Sequence, residues 1–572
     1  MEADVSRIVG HGAPHGWRGL AFGNTHNAAY RNLALEKSTG NDPEIRILHL
    51  RNRNTLAIEC TLVTAKLSDK PTYKALSYTW GEEDDQDVST IHVNGSPFTI
   101  TRNLWDALWA LRPQSGEIVL WVDAICINQF DTQERSHQVS CMPDIYRTAS
   151  EVIVWLGPST PRTDLVLKHL SEKKLTAESL KGLRELSKRR WFTRFWVIQE
   201  LALSLGNATI HCGKHHIVWN ELVTNFVEKR IFVHDAHLTE IYEEIYDVLA
   251  NLDKFVSLAK TAEWVKAQDM KRITRAQSES ARGGLADFVV TAATNFSASD
   301  PKDKIYALLY QLNGVTFADA GEPNLAVDYG KSLEEIQEDC SRHIIAVQGN
   351  FDYVLLEQYV RNPGLPSWVW DTEGAQNEVN KTLFPPMWAA HFGYTHSILR
   401  RPEKPILQND CISWPGYEIA TVKSVESNSL ALLRRALTEW SGDRSGIQKW
   451  LHKSLLRRDA AYKRWYPLIS YLAWDARDPS KVLDGILRHR AVFMTTDGMP
   501  GIALNTVRAG DIIVHLPSVP ELRVLRPLGK TYHTLHGKAL LHNTQDDEYY
   551  DNCDLRLGRF RLRENWTTFL IR

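Results

Sequence analysis

The sequence lacks several features that would classify it at once. None of its 572 residues falls in an apolar run of ~18, so no membrane span is expected. The N-terminus, MEADVSRIVGHGAPHGW, has no apolar centre of the kind a secretory signal carries. Basic charge is not in excess. Sixty-seven Lys and Arg face 69 Asp and Glu, whereas a nucleic-acid binder carries a basic face, so no nucleic-acid partner is expected. Cysteine is scarce. The seven are scattered at 60, 126, 141, 212, 340, 411 and 553 without a CxxC pair, which reads as reduced thiols in an intracellular protein. No metal site is expected on that pattern. There is no P-loop, no G-x-G-x-x-G after a strand, and no internal repeat.

What is present is an ordinary soluble composition, 43% hydrophobic and 24% charged, in a chain long enough to bury a large core unaided. At ~150 residues per domain the length allows three or four domains. Tryptophan is the unusual entrant. Eight of 19 fall between Trp80 and Trp219, which marks that stretch as the one to search first.

Residues 1–45, polar and rich in Gly, His and Asn, read as a lead-in. The runs IRILHL and LAIECTLV predict two strands. KALSY (74–78) predicts a third, and IHVNGSPFTI (91–100) a hairpin turning at Asn94-Gly95. Asn103 is placed to cap a helix with Leu104, Ala107, Leu108 and Leu111 on one face. IVLWVDAIC (118–126) predicts a buried strand. Asp131 and Glu134 resemble a capping box opening a helix that Pro143 should interrupt. EVIVWLG (151–157) predicts a further strand, and RRWFTRFWVIQELALS (189–204) an apolar helix. Apolar strands alternating with helices imply, for 46–225, a doubly wound, mostly parallel α/β sheet. Residues 226–400 read as helical. Residues 401–572 read as a small antiparallel β module with a helical insertion at about 428–475.

In an open α/β sheet, ligands bind beyond the carboxyl ends of the strands. Those ends carry Ser77, Tyr78, Trp80 and Gly81, then Asp123, Asn128 and Gln129, and downstream Arg194, Trp196 and Glu200. Carboxylates, a guanidinium, amides and indoles in one crevice suit a sugar or nucleotide. Glu200 sits among Phe195, Trp196, Ile198, Leu201 and Leu203, and desolvation there raises a carboxyl's pKa, as a catalytic acid or base requires. Two readings stay open: a catalytic Glu200, or a structural ion pair with Arg194, Arg190 or Lys188. Asp123 either binds a ligand or caps a turn. Cys126 with His137 suggests a thiol nucleophile, but Cys126 lies in an apolar run that favours an inert thiol. His211-Cys212-Gly213-Lys214-His215-His216 looks metal-binding, yet fits a hairpin better.

YKALSYTWG (73–81), NLWDALWALR (103–112), the long run LWVDAICINQ…EVIVWLGP (120–158) and RRWFTRFWVIQELALS (189–204) together resemble the HET domain of fungal heterokaryon incompatibility proteins. DPKDKIYALL (300–309), LPSWVWD (365–371) and VFMTTDGMPGIALNTVRAGDIIV (492–514) resemble, more loosely, regions that follow it in long family members. The resemblance implies cytoplasmic non-self recognition and programmed cell death, with self-association through the domain and a protein partner. HET domains are regarded as remote relatives of the TIR fold, a flavodoxin-like α/β domain in which a glutamate cleaves NAD. The TIR pattern W-x-x-x-E-L is matched by Trp196-Val197-Ile198-Gln199-Glu200-Leu201. That likeness implies a catalytic Glu200, and NAD as substrate with no resident cofactor. Two alternatives are a non-catalytic assembly module and a related enzyme repurposed for small-molecule biosynthesis.

Overall fold

The computed structural model describes residues 29–30, 33–35, 42–52, 57–80, 87–172, 177–204, 206–223, 296–309, 325–348, 361–373, 406–408, 411–425, 490–516, 522–541 and 566–572. The chain divides into two units, Met1–Thr316 with Pro323–Ile336, and Phe317–Glu322 with Gln337–Arg572. Most of 226–400, the 428–475 insertion and Gly81 lie outside the described residues.

The first unit is built on a nine-stranded sheet. Its strands are β1 (Glu44–Arg51), β2 (Glu59–Lys66), β3 (Lys74–Ser77), β4 (Val88–Val93), β5 (Ser96–Thr101), β6 (Glu117–Trp121), β7 (Glu151–Trp155), β8 (Ala208–Cys212) and β9 (His215–Val218). They lie in the order β5-β4-β2-β1-β6-β3-β7-β8-β9. The expectation of a mostly parallel sheet needs correction. Pairs β6–β3, β3–β7, β7–β8 and β2–β4 are parallel, but β1–β2, β1–β6, β4–β5 and β8–β9 are antiparallel. At β4–β5 and β8–β9 two-residue turns join consecutive strands, and a tight turn permits only antiparallel pairing, while β1 lies between β2 and β6 and runs antiparallel to both. Asn94 (φ 52°) and Gly95 (φ 77°) make the β4–β5 turn with both residues left-handed, as the pair predicted. The His211–His216 segment likewise forms the β8–β9 hairpin, turning at Gly213 (φ 58°). Among the described residues no group of three or more His, Cys, Asp and Glu is placed to hold a metal.

Helices α1 (Arg102–Leu111), α3 (Thr132–Thr148), α4 (Pro161–Ser171), α5 (Ala177–Ser187) and α6 (Val197–Ala202) connect these strands, with a single helical turn, α2, at Asp123–Cys126. Four local expectations are corrected here. The N-cap of α1 is Thr101, whose hydroxyl accepts from Leu104 N. Asn103 instead donates to the Thr79 carbonyl and accepts from Trp155 Nε1. The strand expected over 118–126 ends at Trp121, because Ile125 and Cys126 N–H groups fold back onto the Val122 carbonyl. α3 runs through Pro143 unbroken. Residues 189–204 are not one helix but a 3-10 turn (Arg190–Thr193), an extended Arg194 and the short α6.

Core filling follows the apolar periodicity. Leu120, Trp121, Ile153, Val154, Trp155 and Trp191 are buried. Trp109 is not: 38% exposed, it stacks on Trp105 at 4.9 Å with the Arg112 guanidinium 3.7 Å from its other side.

The second unit carries β10 (Ile406–Gln408), β11 (Cys411–Val425), β12 (Arg490–Thr495), β13 (Pro500–Leu504), β14 (Ile512–His515), β15 (Leu522–Leu528), β16 (Tyr532–Leu541) and β17 (Trp566–Ile571). β11, β12, β13, β16, β15 and β14 pair antiparallel in that order, and β14 returns to β11, closing the ring. Closure leaves no open edge among those six strands. β17 alone adds a parallel pairing, to β16. Val422, Phe493, Ala503, Ile513 and Val524 fill its core. No helix among the described residues is long and apolar enough to cross a membrane.

Candidate functional site

The parallel centre, β6-β3-β7-β8, places the first of its strands in the chain between the second and third. The chain therefore reaches β6 on one side of β3 and then crosses to β7 on its other side, and in such sheets the place beyond the carboxyl end at this switch is where ligands bind. Ser77 and Tyr78 stand at that end, Asp123 follows β6 by two residues, and the Arg190–Ala202 segment brings Arg194 and Glu200 over the same place.

Glu200, 2% exposed, is held by two neighbours. It accepts a hydrogen bond from the Ser77 hydroxyl on β3, and its Oε2 lies 3.8 Å from an Arg194 nitrogen. Trp191 Nε1 donates to Ser77 Oγ at 2.7 Å, so the serine hydroxyl is fixed from behind. Arg194 also donates to the Tyr78 carbonyl. Beside this group Asp123 accepts from Trp80 Nε1 at 2.8 Å and from Ala124 N. Gln129 Nε2 donates to the Asp123 carbonyl and holds the turn.

Burial raises the pKa of both carboxyls. For each, Arg194 is the largest opposing influence. Asp123 adds its own charge to the field at Glu200, pushing it further up. Desolvation thus favours the protonated form of both carboxyls against the field of the one guanidinium. Tyr78 and Tyr146 are raised well above their ordinary value by burial.

Of the residues expected to form the site, Ser77, Tyr78, Arg194 and Glu200 are joined by these contacts, and Trp80 and Asp123 are joined as a second pair beside them. Asn128 is engaged elsewhere. Its side chain accepts from Phe130 N and its own N–H donates to Glu134, so it shapes the loop ahead of α3. Trp196 stands at the N-cap of α6, its carbonyl accepting from Gln199 N and Glu200 N. Cys126 is fully buried, its thiol pushed up to about 12 by desolvation, which suits an inert group. Sequence reasoning missed Trp191 as a partner of the site. A signal existed, because a buried aromatic carrying a polar handle must find an acceptor.

Removing Arg194 tests the network. Arg194→Met leaves two buried carboxyls with no shared cation, and the domain is expected to lose about 2–3 kcal/mol at pH 8, after discounting for the partial exposure of the guanidinium. Both carboxyls already have raised folded pKa values, so their stabilising contribution is complete in acid and is lost as pH rises through those values. The substitution raises them further. The loss measured by chemical denaturation should therefore shrink on going from pH 8 to pH 5. A loss independent of pH would contradict the coupling.

Residues 73–200 match the family model for heterokaryon incompatibility protein (HET), so the chain carries a HET domain. All six joined residues fall within that match. The chain is similar to heterokaryon incompatibility protein 6, OR allele, of Neurospora crassa, at 30% identity over 274 residues covering 38% of this chain and 39% of that protein. It is also similar to vegetative incompatibility protein HET-E-1 of Podospora anserina, at 30% over 138 residues, 23% of this chain and 9% of that one. The alignments thus span well under half of either curated relative. No solved structure matches.

Proposed function

We propose that this chain acts in fungal heterokaryon incompatibility, and that its HET domain signals cell death by cleaving NAD at the nicotinamide–ribose bond. The convergence of Ser77, Asp123, Arg194 and Glu200 beyond the carboxyl ends of β3 and β6 carries this reading. The second-first-third-fourth rank of the parallel strands supports a TIR-like relationship, as does the spacing of Trp196 and Glu200. The incompatibility role rests on the names of the two relatives.

As nicotinamide departs, positive charge develops at ribose C1′, and a carboxylate beside it stabilises that charge. Glu200 supplies the carboxylate, with Ser77 holding its orientation. Nicotinamide leaves as a neutral ring, so no proton need be delivered to it. Arg194 reaches the phosphates, and the half-buried Trp80 ring, steadied by Asp123, stacks on a base. Glu200 is covered in the arrangement described, so substrate reaches it only after neighbouring side chains move. Self-association is the event we assign to that opening. No resident cofactor or metal enters this scheme.

The experiment is nicotinamide release from NAD at high protein concentration, by wild type and by Glu200→Gln. Turnover by wild type and none by the variant supports the reading, and no turnover by either overturns it. The same burial and hydrogen bonding of Glu200 favour a second reading, a non-catalytic module that only recruits partners. That reading predicts undiminished cell death from Glu200→Gln when the variant is expressed in a fungal host.

A further inference from the structure

Arg194 is the cation that both carboxyls of the site face, yet the backbone that carries it belongs to no strand of the sheet. It is extended (φ −74°, ψ 139°) between the 3-10 turn Arg190–Thr193 and α6. What holds it there comes from much later in the chain. Ser297 pairs with it in parallel, its N–H donating to the Thr193 carbonyl and its carbonyl accepting from Phe195 N at 2.9 Å. Phe296 packs edge-on against Phe195, ring centres 6.4 Å apart. Ser297 is exposed, and its backbone makes the bridge.

Asp300 fixes the other end of this short segment. Its carboxylate accepts from the Arg135 guanidinium at 2.8 Å and from Lys302 N at 3.1 Å. Arg135, on α3 and buried, also lies 3.4 Å from the centre of the Tyr329 ring. The Tyr329 N–H in turn donates to the Ser136 hydroxyl of the same helix. Residues 296–300 are thus tied to α3 at one end and to the backbone on both sides of Arg194 at the other. From that backbone the Arg194 guanidinium reaches the Tyr78 carbonyl and stands 3.8 Å from Glu200 Oε2.

We propose that residues 296–300, outside the residues that match the family model, are a strap that positions Arg194 for the Glu200 site through the paired backbone at Ser297. An extended residue between two helical turns leaves its neighbours' N–H and C=O groups without helical partners, and Ser297 supplies them. Without the bridge, residue 194 regains the freedom to leave the extended region. Its guanidinium then no longer meets Tyr78 and Glu200 together. The positioning of Arg194 stands by itself, and its kinetic consequence rests on the NAD-cleaving reading.

The test is the titration of Glu200 in the full chain carrying ¹³C-labelled glutamate, with the Glu200 carboxyl resonance assigned by Glu200→Gln. Ser297→Pro removes the N–H that donates to Thr193. It is expected to raise the Glu200 midpoint by roughly one pH unit, the scale of losing a nearby opposite charge. Ser297→Ala keeps both backbone bonds and should leave the midpoint in place. On an Arg194→Met background, Ser297→Pro should add nothing, because the group it displaces is gone. If Ser297→Pro does not fold, Asp300→Asn takes its place: it keeps an acceptor for Lys302 N, loses the charge facing Arg135, and should also raise the midpoint. Loss of a negative charge by itself lowers a neighbouring carboxyl's midpoint, so a rise reports displacement of Arg194. A midpoint that does not rise, or that rises equally with and without Arg194, overturns the proposal. On the NAD reading Ser297→Pro also raises KM for NAD about tenfold, through the lost contact to phosphate. Absence of turnover in wild type counts against that reading alone, because the titration still decides the positioning.

Discussion

Glu200→Gln is expected to cut nicotinamide release by about 10³-fold or more, the scale on which a group stabilising transition-state charge acts. The amide keeps the shape of the carboxyl and a hydrogen-bonding oxygen for Ser77, so loss of folding does not account for loss of turnover. Stability should move the other way. Burial raises the carboxyl's pKa despite Arg194, Ser77 and Tyr146, so ionised Glu200 costs the folded state more than it returns. A group with a raised folded pKa contributes stability that is complete below its unfolded pKa and is lost as pH rises through the folded value. The glutamine variant lacks that loss. It should be at least as stable as wild type at pH 8, with the difference closing towards pH 4, as read by thermal unfolding across that range. A variant markedly less stable at pH 8 than at pH 4, relative to wild type, would show that Arg194 outweighs desolvation. Retaining an unfavourable buried charge is what a working site does and a purely structural ion pair has no reason to do.

Arg46→Ala is expected to destabilise the first unit by roughly 3–5 kcal/mol, the range for stripping one partner from a buried ion pair. Arg46 is 1% exposed on β1, and its guanidinium makes four bonds: two to the Glu134 carboxylate at 2.6 and 3.0 Å, one to the Leu33 carbonyl and one to the Cys126 carbonyl. The Tyr30 ring lies 4.7 Å from it. Alanine leaves Glu134 half-paired and two carbonyls unmet, next to the loop that follows Asp123. Urea unfolding measures the loss. In Arg46→Met/Glu134→Leu the deficit should be well below the sum of the single changes, because no orphaned charge remains. Additive losses would mean that the pair is not coupled.

The local signals that survived are those in which a few adjacent residues decide the geometry. Asn94-Gly95 and Gly213-Lys214 turn where they should because left-handed backbone suits so few residues. The strands starting near Glu44, Lys74 and Glu151 were legible from apolar runs. The segment 189–204 was not. Its apolar residues satisfy a helical pattern, but Arg194 becomes extended because Ser297, a hundred residues on, supplies its neighbours' backbone partners.

The sequence by itself determined which residue types gather at the carboxyl ends of β3 and β6, and the membership of residues 73–200 in the HET family. Apolar strand patterns and motif spacing are local properties, and they persist whatever the rest of the chain does. Only the tertiary structure decided that the sheet is mixed, that Asn128 serves a loop, and that Ser77, fixed by Trp191, bonds Glu200. Those outcomes depend on which donors meet which acceptors once water is excluded, and burial forces each buried polar group to take a partner from wherever in the chain one arrives.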